Sequence, residues 1–247
     1  MLLAGKWAVI TGCLQGIGKA TLSTFAASGA SVFACCQHED ADFTSFIRHL
    51  MDEHQVEIIP ICFDLTNDES VKAAAQKIQK AKKSVEILVN IAGANFDALF
   101  PMMTHDQLQK TFTINLFSQL VFTQYMTRLM LRNKKGSIIN ISSISALDGN
   151  IGQLAYSASK AAWLAATKTL SAELGPQGIR VNAVAPGVIS TQMTSVLPAE
   201  VMARQMARCE LNRPGLPEEV ATTLLWLASD KSSYVTGQII RIDGGMG

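Results

Sequence analysis

The chain has 247 residues, of which 48% are hydrophobic and 17% charged. That balance excludes a disordered chain and allows a core large enough to need no disulfide or metal staple. Lys plus Arg number 21 and Asp plus Glu 20, so a net charge of +1 supplies no global field for nucleic acid or an anionic membrane.

Five cysteines, at 13, 35, 36, 62 and 209, show no paired C-x-x-C spacing. Neither a disulfide framework nor a metal site is expected, and a reducing cytoplasm fits. The opening Met1-Leu2-Leu3-Ala4-Gly5-Lys6 lacks a charged segment followed by an apolar one, so no signal peptide is expected. The uncharged stretch 20–38 is broken by Ser, Thr and Gly and does not read as a membrane span.

The first predicted strand, 7–11, runs into Thr11-Gly12-Cys13-Leu14-Gln15-Gly16-Ile17-Gly18, and a helix follows over 17–28. Backbone passing close to a pyrophosphate has no room for a Cβ, and the helix N-terminus offers free N–H groups to the phosphates. The second strand, 31–36, ends in Cys35-Cys36-Gln37-His38. An acid at Cys36 would bind the adenosine 2′-hydroxyl and repel a 2′-phosphate, and none stands there, which leans toward NADP(H) over NAD(H). Glu39 and Asp40 start the helix 40–54. The third strand, 57–63, is followed by Asp64, which either bonds the adenine edge or, like Thr66, caps the helix 68–82.

The fourth strand is predicted over 87–90. A long helix, 105–132, follows with His105 near its start and Asn115 in mid-helix, where Asn is a poor former. The fifth strand, 137–142, leads to Ser142 and Ser143. A hydroxyl at a strand C-terminus faces the crevice where α/β sheets bind ligands, so Ser143 can hold a substrate carbonyl, whereas Ser142 faces the other way and suits a backbone hydrogen bond. The helix 154–174 carries Tyr156, one of three tyrosines, four residues before Lys160 and hence on one face with it. A phenol titrates near ~10, and a neighbouring ammonium favours the phenolate. A strand at 180–184 precedes the stretch 187–215, read as strandless, with a helical substrate lid at about 188–212. In it Met193, Met202 and Met206 either line an apolar acyl pocket or pack the lid. A helix, 217–229, and a strand, 238–242, close the chain.

The near-continuous β-branched strands are those of a sheet buried on both faces, and strand–helix alternation makes it a single α/β domain: a Rossmann-type, doubly wound parallel sheet of seven strands over 1–247.

Gly12, Gly16 and Gly18, Asn90-Ile91-Ala92-Gly93, Asn115, Ser143, Tyr156 with Lys160, and Pro186-Gly187 resemble, in order and spacing, the classical short-chain dehydrogenase/reductases. Gly149-Asn150-Ile151-Gly152-Gln153, the run 186–194 and Asp243-Gly244-Gly245-Met246 are most similar to the bacterial 3-oxoacyl-acyl-carrier-protein reductases. The resemblance implies a general-acid Tyr156, and a Lys160 that binds nicotinamide ribose and lowers the phenol pKa. It further implies a carbonyl-orienting Ser143 and an Asn115 supporting a water chain. It places cofactor contacts at Leu14, Gln15, Ile17, Cys36, Gln37, Asp64, Leu65, Asn90, Ala92, Gly93, Pro186, Gly187, Ile189 and Thr191. Substrates would be ketones or acyl thioesters, with an acyl carrier protein as partner and no nucleic acid or membrane. The helices 105–132 and 154–174, the latter lined with Ala158, Ala161, Ala162, Ala165 and Ala166, would pair in a homodimer or homotetramer. Two other readings stay open: an NAD-dependent dehydrogenase of a sugar, polyol or hydroxy acid, and a non-catalytic nucleotide-binding regulator.

Overall fold

A computed structural model describes residues 1–195 and 198–247. Among them seven strands form one sheet: β1 (Trp7–Ile10), β2 (Ser31–Cys36), β3 (Ile58–Cys62), β4 (Val85–Asn90), β5 (Gly136–Ile141), β6 (Ile179–Pro186) and β7 (Ile239–Ile242). They lie in the order β3-β2-β1-β4-β5-β6-β7, and every neighbouring pair is parallel. The Rossmann-type sheet expected from the sequence is the one found.

The helices α1 (Gly16–Ala27), α2 (Ala41–His54), α3 (Asp68–Lys80), α4 (His105–Phe112), α5 (Ser118–Asn133), α6 (Ser145–Asp148), α7 (Leu154–Leu174), α8 (Gln192–Ser195), α9 (Ala199–Met206) and α10 (Pro217–Ala228) connect the strands. Alternation along each strand feeds two cores. Ala8, Ile10, Val32 and Ala34 meet Leu22 and Phe25 of α1, Phe43 and Ile47 of α2 and Leu224 of α10. Val9 and Phe33, on the opposite face, meet Val71 and Ile78 of α3 and Phe122 and Met126 of α5. Each of the Val, Leu, Ile, Phe and Met side chains among them contributes about 1.5–3 kcal/mol by leaving water.

Helix starts follow the local chemistry. The Asp40 carboxylate accepts from the Phe43 N–H at 2.8 Å and opens α2. The Asn67 side chain accepts from the Ser70 N–H at 3.1 Å and opens α3, so neither Asp64 nor Thr66 is that cap. Thr104 and Gln107 form a reciprocal box at the start of α4.

The expected single helix over 105–132 is interrupted. One π turn, Thr113–Phe117, separates α4 from α5. Its extra residue frees main-chain carbonyls from the helical ladder, and the Gln119 side-chain amide donates to those of Ile114 at 3.0 Å and Asn115 at 3.3 Å. The stretch read as strandless contains one isolated parallel bridge, Ile189 to Gly215, besides α8 and α9. Within the range given to the lid, residues 196–197 lie outside the described residues. Among the described residues no helix is long and apolar enough to cross a membrane.

The strand order reverses between β1 and β4, which opens a crevice at their C-terminal ends. The hydroxyl of Thr11 ties its two walls by accepting from the N–H groups of Ile91 at 2.9 Å and Ala92 at 3.0 Å.

Candidate active site

A cleft of about 710 Å³ occupies that crevice. Its floor is the glycine turn after β1. Gly12 (φ +76°) and Gly16 (φ +53°) have left-handed backbone. A Cβ on Gly12 would stand 3.1 Å from the Ala92 backbone, one on Gly16 3.2 Å from the Thr191 methyl, and one on Gly18 would collide with the Gly12 carbonyl. The turn is therefore wedged between the exit of β4 and the segment bearing Thr191. At the start of α1, Gln15 gives no side-chain cap and the first turn holds no acid, which leaves the terminal N–H groups free for an anion. A cradle closed to any Cβ and edged by free N–H groups fits a dinucleotide pyrophosphate.

Leu14, Gln15, Ile17, Cys36, Gln37, Asp64, Leu65, Ala92, Gly93, Tyr156, Lys160 and Thr191 all line the cleft, together with the three glycines. The Asp64 carboxylate accepts from the Thr66 N–H at 2.8 Å. That hydrogen bond holds its pKa below the usual carboxylate value. Phe96, Lys110 and Met193 also line the cleft, with the Lys110 ammonium 5.4 Å from the Phe96 ring centroid. Sequence reasoning missed Phe96 and Lys110 because a loop and a helix end are brought there only by the fold. Met202 and Met206 do not line the cleft.

The residues lining the cleft do not include Asn90, Pro186, Gly187 or Ile189, of which Gly187 is half-buried and the others buried. Asn90 is buried, and its amide donates to Thr123 Oγ1 at 3.0 Å and to Asn140 Oδ1 at 2.9 Å, while the Asn140 amide donates to Thr167 Oγ1 at 2.9 Å. The signal for this polar ladder was asparagine at the same register in β4 and β5. Gly187 meets the Asp243 backbone and Ile189 is core.

At the far end, the buried Lys160 Nζ donates to the Ile141 carbonyl at 2.8 Å and sits 5.9 Å from the Tyr156 ring centroid. Burial pushes its pKa down to about 8. The Ser143 hydroxyl stands beside the Tyr156 phenol and accepts from the Ser145 N–H at 3.1 Å. Ser142 is turned away, its hydroxyl donating to the Lys160 carbonyl at 2.8 Å. The expected lowering of the phenol pKa by Lys160 is not what governs Tyr156 in the free protein. Burial raises it, and the neighbouring Ser143 hydroxyl only partly opposes that.

Asn115 stands on the π turn, fully buried, not on a regular helix. Its Oδ1 accepts from the Ala94 N–H at 2.8 Å, and its amide donates to the Ala94 carbonyl at 2.9 Å and to Ser159 Oγ at 3.1 Å. It thus holds the exit of β4 against α7. A Cβ on Gly93 would come within 3.3 Å of Asn115 Oδ1 and 3.4 Å of Lys160 Nζ, so glycine there keeps the floor open beside the ammonium.

The chain is similar to a large set of known proteins. A family model described as enoyl-(acyl carrier protein) reductase matches residues 12–247. The 3-oxoacyl-[acyl-carrier-protein] reductase FabG of Thermotoga maritima is 41% identical over 100% of this chain and 99% of its own. That of Aquifex aeolicus is 36% identical over 99% and 98%. A crystal structure of 3-oxoacyl-[acyl-carrier protein] reductase from Brucella melitensis superposes with a TM-score of 0.92 at 32% identity, covering 99% of this chain and 92% of that one. A putative gluconate dehydrogenase from Agrobacterium tumefaciens superposes with a TM-score of 0.93 at 28% identity, over 99% and 96%. The chain belongs to the short-chain dehydrogenase/reductase family of nicotinamide-dependent oxidoreductases.

Proposed function

We propose that this protein reduces the ketone of a 3-oxoacyl thioester, delivered on an acyl carrier protein, to the secondary alcohol with NADPH in the cytoplasm. The observation that carries this reading is the Ser143 hydroxyl beside the Tyr156 phenol and the buried Lys160, at the end of the glycine-floored cleft. Two hydroxyls converging on one point suit a carbonyl oxygen.

The glycine turn and the start of α1 hold the pyrophosphate, while Cys36 and Gln37 receive the adenosine ribose with no carboxylate to repel a 2′-phosphate. One of the three Lys160 protons goes to the Ile141 carbonyl, which leaves two for ribose hydroxyls. The backbone near Ile189 and the Thr191 side chain hold the carboxamide end. The bound cofactor supplies hydride to the carbonyl carbon. Ser143 orients the carbonyl oxygen, and Tyr156 gives that oxygen its phenolic proton as charge develops there. Lys160 stabilises the phenolate left behind. Asn115, with its own groups on protein partners, acts by holding the β4 exit and α7 in register. Two copies pair through α4, α5 and α7, an arrangement supported by the exposed apolar side chains of Phe117, Val121 and Leu154.

A second reading, oxidation of a sugar acid or polyol with NAD, is favoured by the gluconate dehydrogenase likeness and by the lack of a cationic side chain at Gln15 and Gln37. The deciding experiment assays 3-oxoacyl and enoyl thioesters, simple ketones and polyols with both cofactors. NADPH oxidation driven by 3-oxoacyl thioesters is expected. Faster turnover of enoyl thioesters, or of polyols with NAD, overturns the proposal.

A further inference from the structure

Cys36 ends β2 and Cys62 ends β3, and the two are direct partners in the parallel register. Directly opposed residues of neighbouring strands send their side chains to one face, and here the two Sγ atoms are 2.9 Å apart. Neighbouring strands lie about 4.8 Å apart, inside the roughly 4.4–6.8 Å Cα span that a disulfide bridges. The environments of the two thiols differ. β3 is an edge strand and Cys62 is exposed, whereas Cys36 is buried and lines the cleft beside Gln37 and His38. The other cysteines nearby are set apart. Cys35 points to the opposite face of the sheet, and the buried Cys13 donates its thiol to the Ile10 carbonyl at 3.2 Å.

We propose that Cys36 and Cys62 form a reversible dithiol–disulfide site, closed by small-molecule disulfides, and that its closure weakens dinucleotide binding. The exposed Cys62 loses its thiol proton to solvent and attacks one sulfur of the small disulfide. A mixed disulfide forms on Cys62, and one small thiolate leaves and takes up a proton. Burial holds the Cys36 thiol well above its ordinary pKa, so it waits for a disulfide placed against it rather than reacting first. Cys36 then gives up its proton and attacks Cys62 Sγ, which expels the second small thiol. Two protein thiols are oxidised and one small disulfide is reduced to two thiols. The new bond, about 2.0 Å long, tethers the end of β2 to the edge strand immediately before Gln37 and His38. The effect on binding rests on the adenosine end lying at β2; the cross-linking chemistry does not.

The test equilibrates the whole protein with graded ratios of glutathione and oxidised glutathione, traps free thiols and maps the peptides by mass. A linked peptide containing Cys36 and Cys62, reversed by dithiothreitol, is expected. The linked protein should bind NADPH roughly fivefold or more weakly than the reduced protein, and by reciprocity saturating NADPH should shift the equilibrium toward thiols by the same factor. Cys62→Ser should bind NADPH normally and lose the response to oxidant. Linkage to Cys13 or Cys35, a lasting adduct on Cys62 alone, or a linked protein that binds NADPH as tightly as the reduced one overturns the proposal. NADPH binding by the reduced protein reports separately on the reading of the cleft.

Discussion

The Trp163 indole N–H donates to the main-chain carbonyl of Asn115 at 2.7 Å, joining α7 to the π turn. Both residues are buried. In the π turn that carbonyl takes two side-chain donors, the Trp163 indole from α7 and the Gln119 amide from α5. The bond matters to the site because α7 carries Tyr156 and Lys160, while the Asn115 side chain clamps Ala94. Trp163→Phe keeps most of the ring and removes the N–H. The carbonyl keeps the Gln119 amide at 3.3 Å, so the expected cost is that of one hydrogen bond, about 0.5–1.5 kcal/mol. Urea unfolding should show a lower midpoint at unchanged slope, and an unmoved midpoint would refute the assignment.

Tyr156→Phe separates proton delivery from binding. The ring and its packing remain, so NADPH affinity should stay close to that of the parent. Turnover of a 3-oxoacyl thioester should fall by about 10²–10⁴-fold, the usual worth of a placed acid. Fluorescence titration and kcat measured on the same preparation test it. A variant with parental turnover removes Tyr156 from the chemistry.

Much of this arrangement was legible before any coordinates. The runs 31–36 and 137–142 are apolar on both faces because the sheet is covered on both sides, and that pattern belongs to no exposed strand. The glycine turn was legible for a steric reason that the distances around Gly12 and Gly16 now make concrete. The π turn was not, because 3.6-residue periodicity continues on either side of it. Its trace was the pair Asn115 and Gln119, polar residues that become fully buried. Asn90 stands beside the cleft in sequence, and strand alternation turns its side chain toward Asn140.

Lys160 gives the protein a pH signature. Burial lowers its pKa from 10.5 to about 8. Below the lower value the ammonium is charged whether the chain is folded or not, and its desolvation cost is present in full. Between the two values the unfolded chain holds a proton that the folded chain lacks, so stability rises with pH across that window. The whole gap corresponds to about 3 kcal/mol. Tyr156, whose pKa burial raises above 10.0, adds nothing until its ordinary value is reached, beyond which its ionisation in the unfolded chain lowers stability. Buried thiols of Cys13, Cys35 and Cys36, raised above 9.0, lower stability with rising pH in both proteins alike, so the unfolding free energy of the parent relative to Lys160→Met should climb from about pH 7.5 to 9.5. Parallel profiles for the two would rule out a buried ammonium.

Arg241 binds both Asp148 carboxylate oxygens, at 3.0 and 2.8 Å, and donates through Nε to Asp243 at 2.6 Å. This fastens α6, two residues beyond Ser143, to the last strand and the C-terminal tail. Because the pair is partly exposed, Asp148→Asn should change stability by no more than about 1 kcal/mol. Its effect should appear in substrate handling, as a higher KM for the thioester with unchanged NADPH affinity. Equal losses in both would mean that the contact serves only the fold.

Cofactor choice turns on the end of β2. Cys36 lines the cleft there and is 4% exposed. A carboxylate at that position can accept from a ribose 2′-hydroxyl and repels a 2′-phosphate, so Cys36→Asp should lower the NADPH-to-NADH ratio of kcat/KM by roughly tenfold or more. The new carboxylate must be accommodated in a nearly closed site, and a fall in Tm is expected alongside. Gln37→Arg provides the opposite arm, since a guanidinium on the exposed neighbour pairs with the 2′-phosphate and should raise the same ratio without burying charge. Opposite shifts from the two substitutions would place the ribose against Cys36 and Gln37. A folded Cys36→Asp variant with the parental ratio places it elsewhere.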